Sequence, residues 1–155
     1  MLQEIYPEVI ALLLQDFPES LVMTLLIFSL SKIRYEAKPI LSIVSLMALT
    51  NLLVRQLPIA FGVHTVMIIV AFALFTRLFT RAQLSKIFLS VLMTAAILVA
   101  AEMVYAEPLF NWTGLTYEEC FANPFLRAAF ALPGELTVLL VALVINYYNA
   151  KKRGY

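Results

Sequence analysis

Cysteine, histidine and aspartate occur once each in the 155-residue chain, as Cys120, His64 and Asp16, and glycine occurs only four times. One cysteine rules out an internal disulfide and a cysteine-based metal centre, leaving only an intermolecular bridge open, so cysteine usage does not fix the redox compartment. Intramembrane proteolysis requires a nucleophile with a base, or a pair of acids, and the single Cys, His and Asp stand on different segments. Charge is scarce too. Charged residues make up 14 % of the chain and hydrophobic residues 63 %, against about 25 % and about 45–50 % in an ordinary soluble domain. Eleven Lys and Arg nearly balance ten Asp and Glu, for a net charge of +1. No basic footprint for nucleic acid is expected from that balance, and no cofactor or metal is expected either. The opening Met1-Leu-Gln-Glu-Ile-Tyr-Pro-Glu8 carries acids where a signal peptide has a basic region. The first helices are therefore expected to stay in the mature protein.

What the chain has instead is apolar runs near the length of about 20 residues that crosses a bilayer. The expected fold is an all-α membrane protein forming a single membrane domain. It is a bundle of about five transmembrane helices, with an N-terminal interfacial helix and a short helical external loop. The spans are expected at about 18–34, 39–57, 62–79, 82–105 and 133–149, after an interfacial helix over about 7–17 and with the external loop over about 106–132. Asp16-Phe-Pro-Glu-Ser20 reads as a helix start, with Pro18 in the first turn. One long helix kinked at Pro18 is the alternative, and the sequence leaves both open. Pro39 suits a second start, Pro58 a stop, and Ile59-Ala-Phe-Gly62 a tight apolar turn. Within the loop, Thr116-Tyr-Glu-Glu119 has the spacing of a helix cap with a carboxylate three residues on.

Cations set the expected orientation. Lys32, Arg34 and Lys38 fall in one break, Arg77, Arg81 and Lys86 in another, and Lys151, Lys152 and Arg153 in the tail, so nine of the eleven cations share one side of a five-span topology. Short loops rich in Lys and Arg stay in the cytoplasm. A multi-pass plasma-membrane protein with its N-terminus outside and its C-terminus cytoplasmic is expected. The acids Glu4, Glu8, Asp16, Glu19, Glu102, Glu107, Glu118, Glu119 and Glu135 then face out, and Glu36 is the exception.

The candidate site is Arg55, His64, Glu102, Arg127 and Glu135, all expected near the outer ends of the spans, where an unpaired charge is costly. Two readings fit: an outward-facing polar pocket that binds a ligand, or interhelical ion pairs and snorkelling at headgroup level. Cys120 with His64 and Arg127 loosely matches a membrane cysteine peptidase, but a small apolar residue in a loop helix is the simpler account of Cys120. Trp112, Tyr105 and Tyr117 suit one aromatic belt and Tyr147 and Tyr148 the other. The centres of the spans hold little beyond Ser29, Ser42, Ser45, Thr50, Asn51 and Thr94, so no permeation path is expected.

Three stretches taken together resemble the N-terminal membrane region of bacterial sensor histidine kinases that carry a GHKL-type ATPase domain. They are Asp16-Phe-Pro-Glu-Ser20, Arg55-Gln-Leu-Pro-Ile-Ala-Phe-Gly-Val-His-Thr65, and Leu115-Thr-Tyr-Glu-Glu119 with Asn123-Pro-Phe-Leu-Arg127. The resemblance implies signal detection on the outer side and transmission through the last span. The sequence departs from that family in ending at Tyr155, before the linker, phosphoacceptor His and ATP-binding domain. The expectation is a non-enzymatic sensing or regulatory module, either a stand-alone relative or an isolated sensor portion. Its expected partners are the lipid bilayer and either a protein partner or a second copy associating through the spans. A small transport or channel subunit, or a structural scaffold of a membrane complex, is the alternative.

Overall fold

A computed structural model describes residues 2–58 and 60–152. Ile59 of the expected turn and Arg153 of the basic tail lie outside the described residues, as do the side chains of Glu4 and Phe61. Among the described residues there is no strand. The elements are α1 (Leu2–Ala11), a π-helical turn (Leu12–Asp16), α2 (Phe17–Leu30), α3 (Ala37–Arg55), α4 (Phe61–Thr80), α5 (Leu84–Thr113), α6 (Tyr117–Ala122) and α7 (Pro124–Lys152). Five helical stretches are long and apolar enough to cross a membrane: Tyr6–Leu30, Ala37–Arg55, Gly62–Thr80, Leu84–Thr113 and Pro124–Lys152. The chain is an all-α, multi-pass membrane protein.

Of the two arrangements left open for the N-terminal region, the backbone is one continuous helix. Ala11, Asp16 and Phe17, at the junctions, all have right-handed helical angles. A proline inside a helix removes one hydrogen bond and crowds the carbonyl four residues earlier, here that of Leu14. The wide π turn over Leu12–Asp16 lies where that crowding falls, and a π turn is a common way to absorb such an irregularity without ending the helix.

Two other boundaries differ from the sequence expectation. α5 passes the expected stop near Tyr105 and ends at Thr113, where Gly114 takes the left-handed conformation (φ 69°) and its N–H reaches the Phe110 carbonyl at 2.9 Å. Glycine at this position is the usual helix terminator. α7 starts at Pro124 rather than Pro133, because Asn123 Oδ1 accepts from the Phe125 N–H at 2.9 Å and Pro124 needs no N–H partner in the first turn. Pro133 is carried inside α7. Charge and proline had marked the expected ends, whereas the caps mark the real ones.

α2 packs against α3, α5 and α7, while α3 packs on α4, α4 on α5 and α5 on α7. The first span is thus the inner element of an up-and-down bundle. α3 and α4 have 19 and 20 residues, about 30 Å of helix. α5 and α7 have 30 and 29, about 45 Å. The long helices therefore project beyond the α3–α4 connection, and α6 packs on α7, with the Tyr117 ring 6.3 Å from that of Phe110 of α5.

One end of the bundle gathers Lys32, Arg34, Lys38, Arg77, Arg81, Lys86, Lys151 and Lys152. Next to this cationic end lies the dense core: Ile27, Phe28, Ile43, Val44, Met47, Phe72, Ile87 and Val91 are fully or almost fully buried. α2 and α7 are tied together there. Ser29 Oγ donates to the Ala142 carbonyl at 2.9 Å, and Asn149 Nδ2 donates to the Ser29 carbonyl at 2.7 Å. Tyr35 and Ser29 share a hydroxyl–hydroxyl bond of 2.6 Å. In an apolar surround such bonds replace the water that the groups would otherwise keep. Arg77 closes the same end of α4 by donating to the carbonyls of Arg81 (2.6 Å) and Ala82 (2.7 Å).

A candidate polar pocket at the acidic end

The opposite end of the bundle is built differently. Asp16, Glu19, Ser20 and Met23 follow one another at spacings of three, one and three residues, which lines them up on one face of the first span. That face, with Arg55 of α3, His64 of α4, Glu102 of α5, Phe121 of α6 and Arg127 of α7, encloses a cavity of about 340 Å³. A second cavity of about 180 Å³ shares Gln15, Glu102, Tyr117, Phe121 and Arg127 with it and extends towards Tyr105, Phe110 and Phe130. All the long helices and α6 contribute to the two walls.

Arg55 is the anchor of the site. Its Nη2 donates to Asp16 Oδ1 at 2.6 Å, and its Nη1 lies 3.8 Å from Glu8 Oε2. The Asp16 side chain is 2 % exposed and that of Arg55 22 %. A carboxylate that buried is tolerable only because a guanidinium lies against it. Arg127 is held differently, with its Cζ 5.1 Å from the Phe121 ring centroid, a cation–π distance. Its Nε is buried without a hydrogen-bond partner.

Four of the five residues expected from the sequence, Arg55, His64, Glu102 and Arg127, share the larger cavity. Glu135 does not line either cavity described. It is 5 % exposed, and its Oε1 lacks a hydrogen-bond partner. The neighbouring Gly134 lets α5 come close: a Cβ there would sit 2.8 Å from Tyr105 Oη and 3.4 Å from Leu98 Cδ1.

Asp16, Glu19 and Ser20 were missed as site residues. As a helix start, Asp16-Phe-Pro-Glu-Ser20 would leave its polar groups at a water-facing terminus. In a continuous helix the same residues are interior, and their spacing then aims them into the bundle. Carboxylates predominate around the site. Asp16, Glu19 and Glu102 line it against the guanidiniums of Arg55 and Arg127.

The loop helix beside the pocket has ordinary chemistry. Thr116 caps α6 in a reciprocal box: its Oγ1 accepts from the Glu119 N–H at 3.3 Å, while Glu119 Oε2 accepts from the Thr116 N–H at 2.8 Å. That backbone N–H, followed by the Thr116 hydroxyl, holds the exposed Glu119 carboxyl below its ordinary range. Burial, and then the Glu119 charge, pushes the Cys120 thiol up, the reverse of the lowered value that makes a thiol nucleophilic. Among the described residues no group of three His, Cys, Asp or Glu side chains is placed to hold a metal ion.

No family model, no curated protein and no solved structure matches this chain. The likeness to histidine-kinase sensor regions therefore rests on the residues quoted for it.

Proposed function

We propose that the chain is a membrane sensing or regulatory module, in which a ligand entering the polar pocket biases the helix arrangement and a cytoplasmic protein partner reads the change. One observation carries this reading. A cavity with charged walls lies at the end opposite the cationic loops, and α7 runs from its wall at Arg127 to the Ser29–Ala142–Asn149 tie at the other end. A ligand that favours one position of α7 shifts that equilibrium by its differential affinity for the two states. The cationic end faces the cytoplasm by the distribution of Lys and Arg. The N-terminus and the pocket then face out across the plasma membrane, and the C-terminus lies inside. Resemblance to kinase sensor regions agrees with that direction of signalling.

The dense core favours this reading over a transport subunit. Between the cavity and the cationic end stand Phe28, Ile43, Met47, Phe72, Ile87 and Val91, buried and apolar, where a conduction path requires polar or broken helix.

The test is affinity capture of the tagged chain from native membranes in mild detergent, followed by reconstitution of the signalling output. A copurifying kinase or regulator whose output changes in Arg127→Ala, with the variant still folded, is the expected result. Copurifying permease subunits, or unchanged output in both Arg55→Ala and Arg127→Ala, contradicts it.

A further inference from the structure

We infer that the pocket takes a small amphipathic organic cation, an amine or guanidine head on an apolar body; the inference rests on the reading of the cavity as a ligand site and names its ligand class.

The head group follows from what the walls leave unpaired. Arg55 is held by Asp16 through Nη2, with its Nη1 3.8 Å from Glu8 Oε2. Of the cations that line the cavity this leaves the Arg127 guanidinium, lying on Phe121, to face Glu19 and Glu102. Two buried atoms on the wall give independent evidence. Asp16 Oδ2 and Ser20 Oγ have no hydrogen-bond partner, and each residue is only 1 % exposed. A carboxylate oxygen only accepts, and a hydroxyl accepts readily, so an N–H donor satisfies both. Leaving such atoms unpartnered costs more than the bond itself gains. Arg127 Nε and Arg55 Nη1 are the opposing cases, buried donors without a hydrogen-bond acceptor. The carboxylates outnumber the guanidiniums, so the net pull is on a cation.

The body follows from depth. Along α4 the cavity wall changes from His64 to Ile68 and Phe72, and along α5 from Glu102 through Leu98 and Ala95 to Val91. Glu102 and Val91 are eleven positions apart, about 16 Å along the helix. The wall is therefore charged at one end and apolar at the other over the length of a small molecule. An ammonium held at Glu19 and Asp16 leaves its hydrocarbon against Phe72 and Leu98. A charge-assisted bond at one end and apolar contact at the other is the usual composition of a small-ligand site.

Purified full-length chain in detergent is titrated with three matched probes, 2-phenylethylammonium, 2-phenylethanol and 3-phenylpropanoate, by calorimetry and thermal unfolding. Detergent partitioning is controlled by Ala95→Leu, which fills the cavity from α5. The ammonium is expected to bind at least tenfold more tightly than the alcohol, and the carboxylate not to bind. Glu19→Gln is expected to weaken the ammonium at least fivefold and Ser20→Ala about threefold. Ala95→Leu is expected to abolish saturable binding while the protein stays folded. Equal affinity for ammonium and alcohol, preference for the carboxylate, unchanged affinity in Glu19→Gln, or no saturable binding of any probe overturns the inference. Binding is read without a partner protein. The cation class therefore fails on the probe ranking, whereas the sensing reading fails on the output of Arg55→Ala and Arg127→Ala.

Discussion

The two ends of this bundle are made from the same helices by opposite means. Near the cationic loops, Phe28, Ile43, Met47, Phe72 and Ile87 fill the space between helices, and the polar groups Ser29, Tyr35 and Asn149 are matched to one another or to a carbonyl, with the fully buried Thr76 hydroxyl the exception. Two to three turns away the same first span presents Asp16, Glu19 and Ser20 to a cavity, and most of the unpartnered buried atoms collect around it. In a bilayer, helices gain little from excluding water from one another, so dense packing and satisfied hydrogen bonds hold them together. The cavity forgoes both. Such a departure from good packing at one place is expected where a protein carries out its function.

Truncations in the two halves should therefore have unequal costs. Phe28→Ala in the dense half should show the largest effect, about 3 kcal/mol of destabilisation, read by reversible unfolding in mixed micelles. Leu98→Ala on the cavity wall should cost less than half as much, because the space it leaves joins one that exists. Similar losses for the two would remove the distinction between the halves.

Next in size is the ion pair. Arg55→Ala strands a buried Asp16 and should cost about 2 kcal/mol, below the usual loss for a fully buried pair because Arg55 is 22 % exposed. Adding Asp16→Asn should restore more than half of the loss. A double variant no better than Arg55→Ala would mean that Arg55 stabilises by packing its stem rather than by charge.

Gly134→Ala should cost about 1 kcal/mol, through the close approach to Tyr105 Oη, and Tyr105→Phe should relieve part of it. The smallest effect belongs to the exposed loop helix. Thr116→Ala should speed amide exchange in α6 about fivefold with no change in the global unfolding midpoint. The Glu119 carboxyl is held low in the folded chain, so its support for the cap is present above the unfolded value of about 4.3 and is lost as pH falls through and below it. Exchange in α6 should quicken over that interval in the wild type and much less in Glu119→Gln.

Much of the architecture was legible in advance because a bilayer leaves few choices. Five apolar runs, with the basic breaks all falling on one side, admit only an up-and-down helical bundle, and the capping box at Thr116 is a signal of defined spacing. The helix ends were less legible. Gly114 and Asn123-Pro124 are local caps, and they outweighed Glu107 and Pro133, which looked like boundaries by charge and by proline. The pocket was half visible. Arg55, His64, Glu102 and Arg127 stood out as charges at span ends, but Asp16, Glu19 and Ser20 were hidden by a proline that the π turn accommodates. Which face an interior residue turns inward depends on helix continuity, and a sequence with Pro18 between two apolar stretches does not settle that.

Substituted-cysteine labelling tests the central claim most directly. In a Cys120→Ala background, Ala95→Cys is treated on intact cells with a membrane-impermeant, positively charged thiol reagent, alongside Ile87→Cys and Thr76→Cys. Position 95 is expected to label from outside, and the buried positions 87 and 76 are expected to stay unreacted. No labelling at position 95, or equal labelling at all three positions, would contradict an outward-facing cavity closed by a dense core.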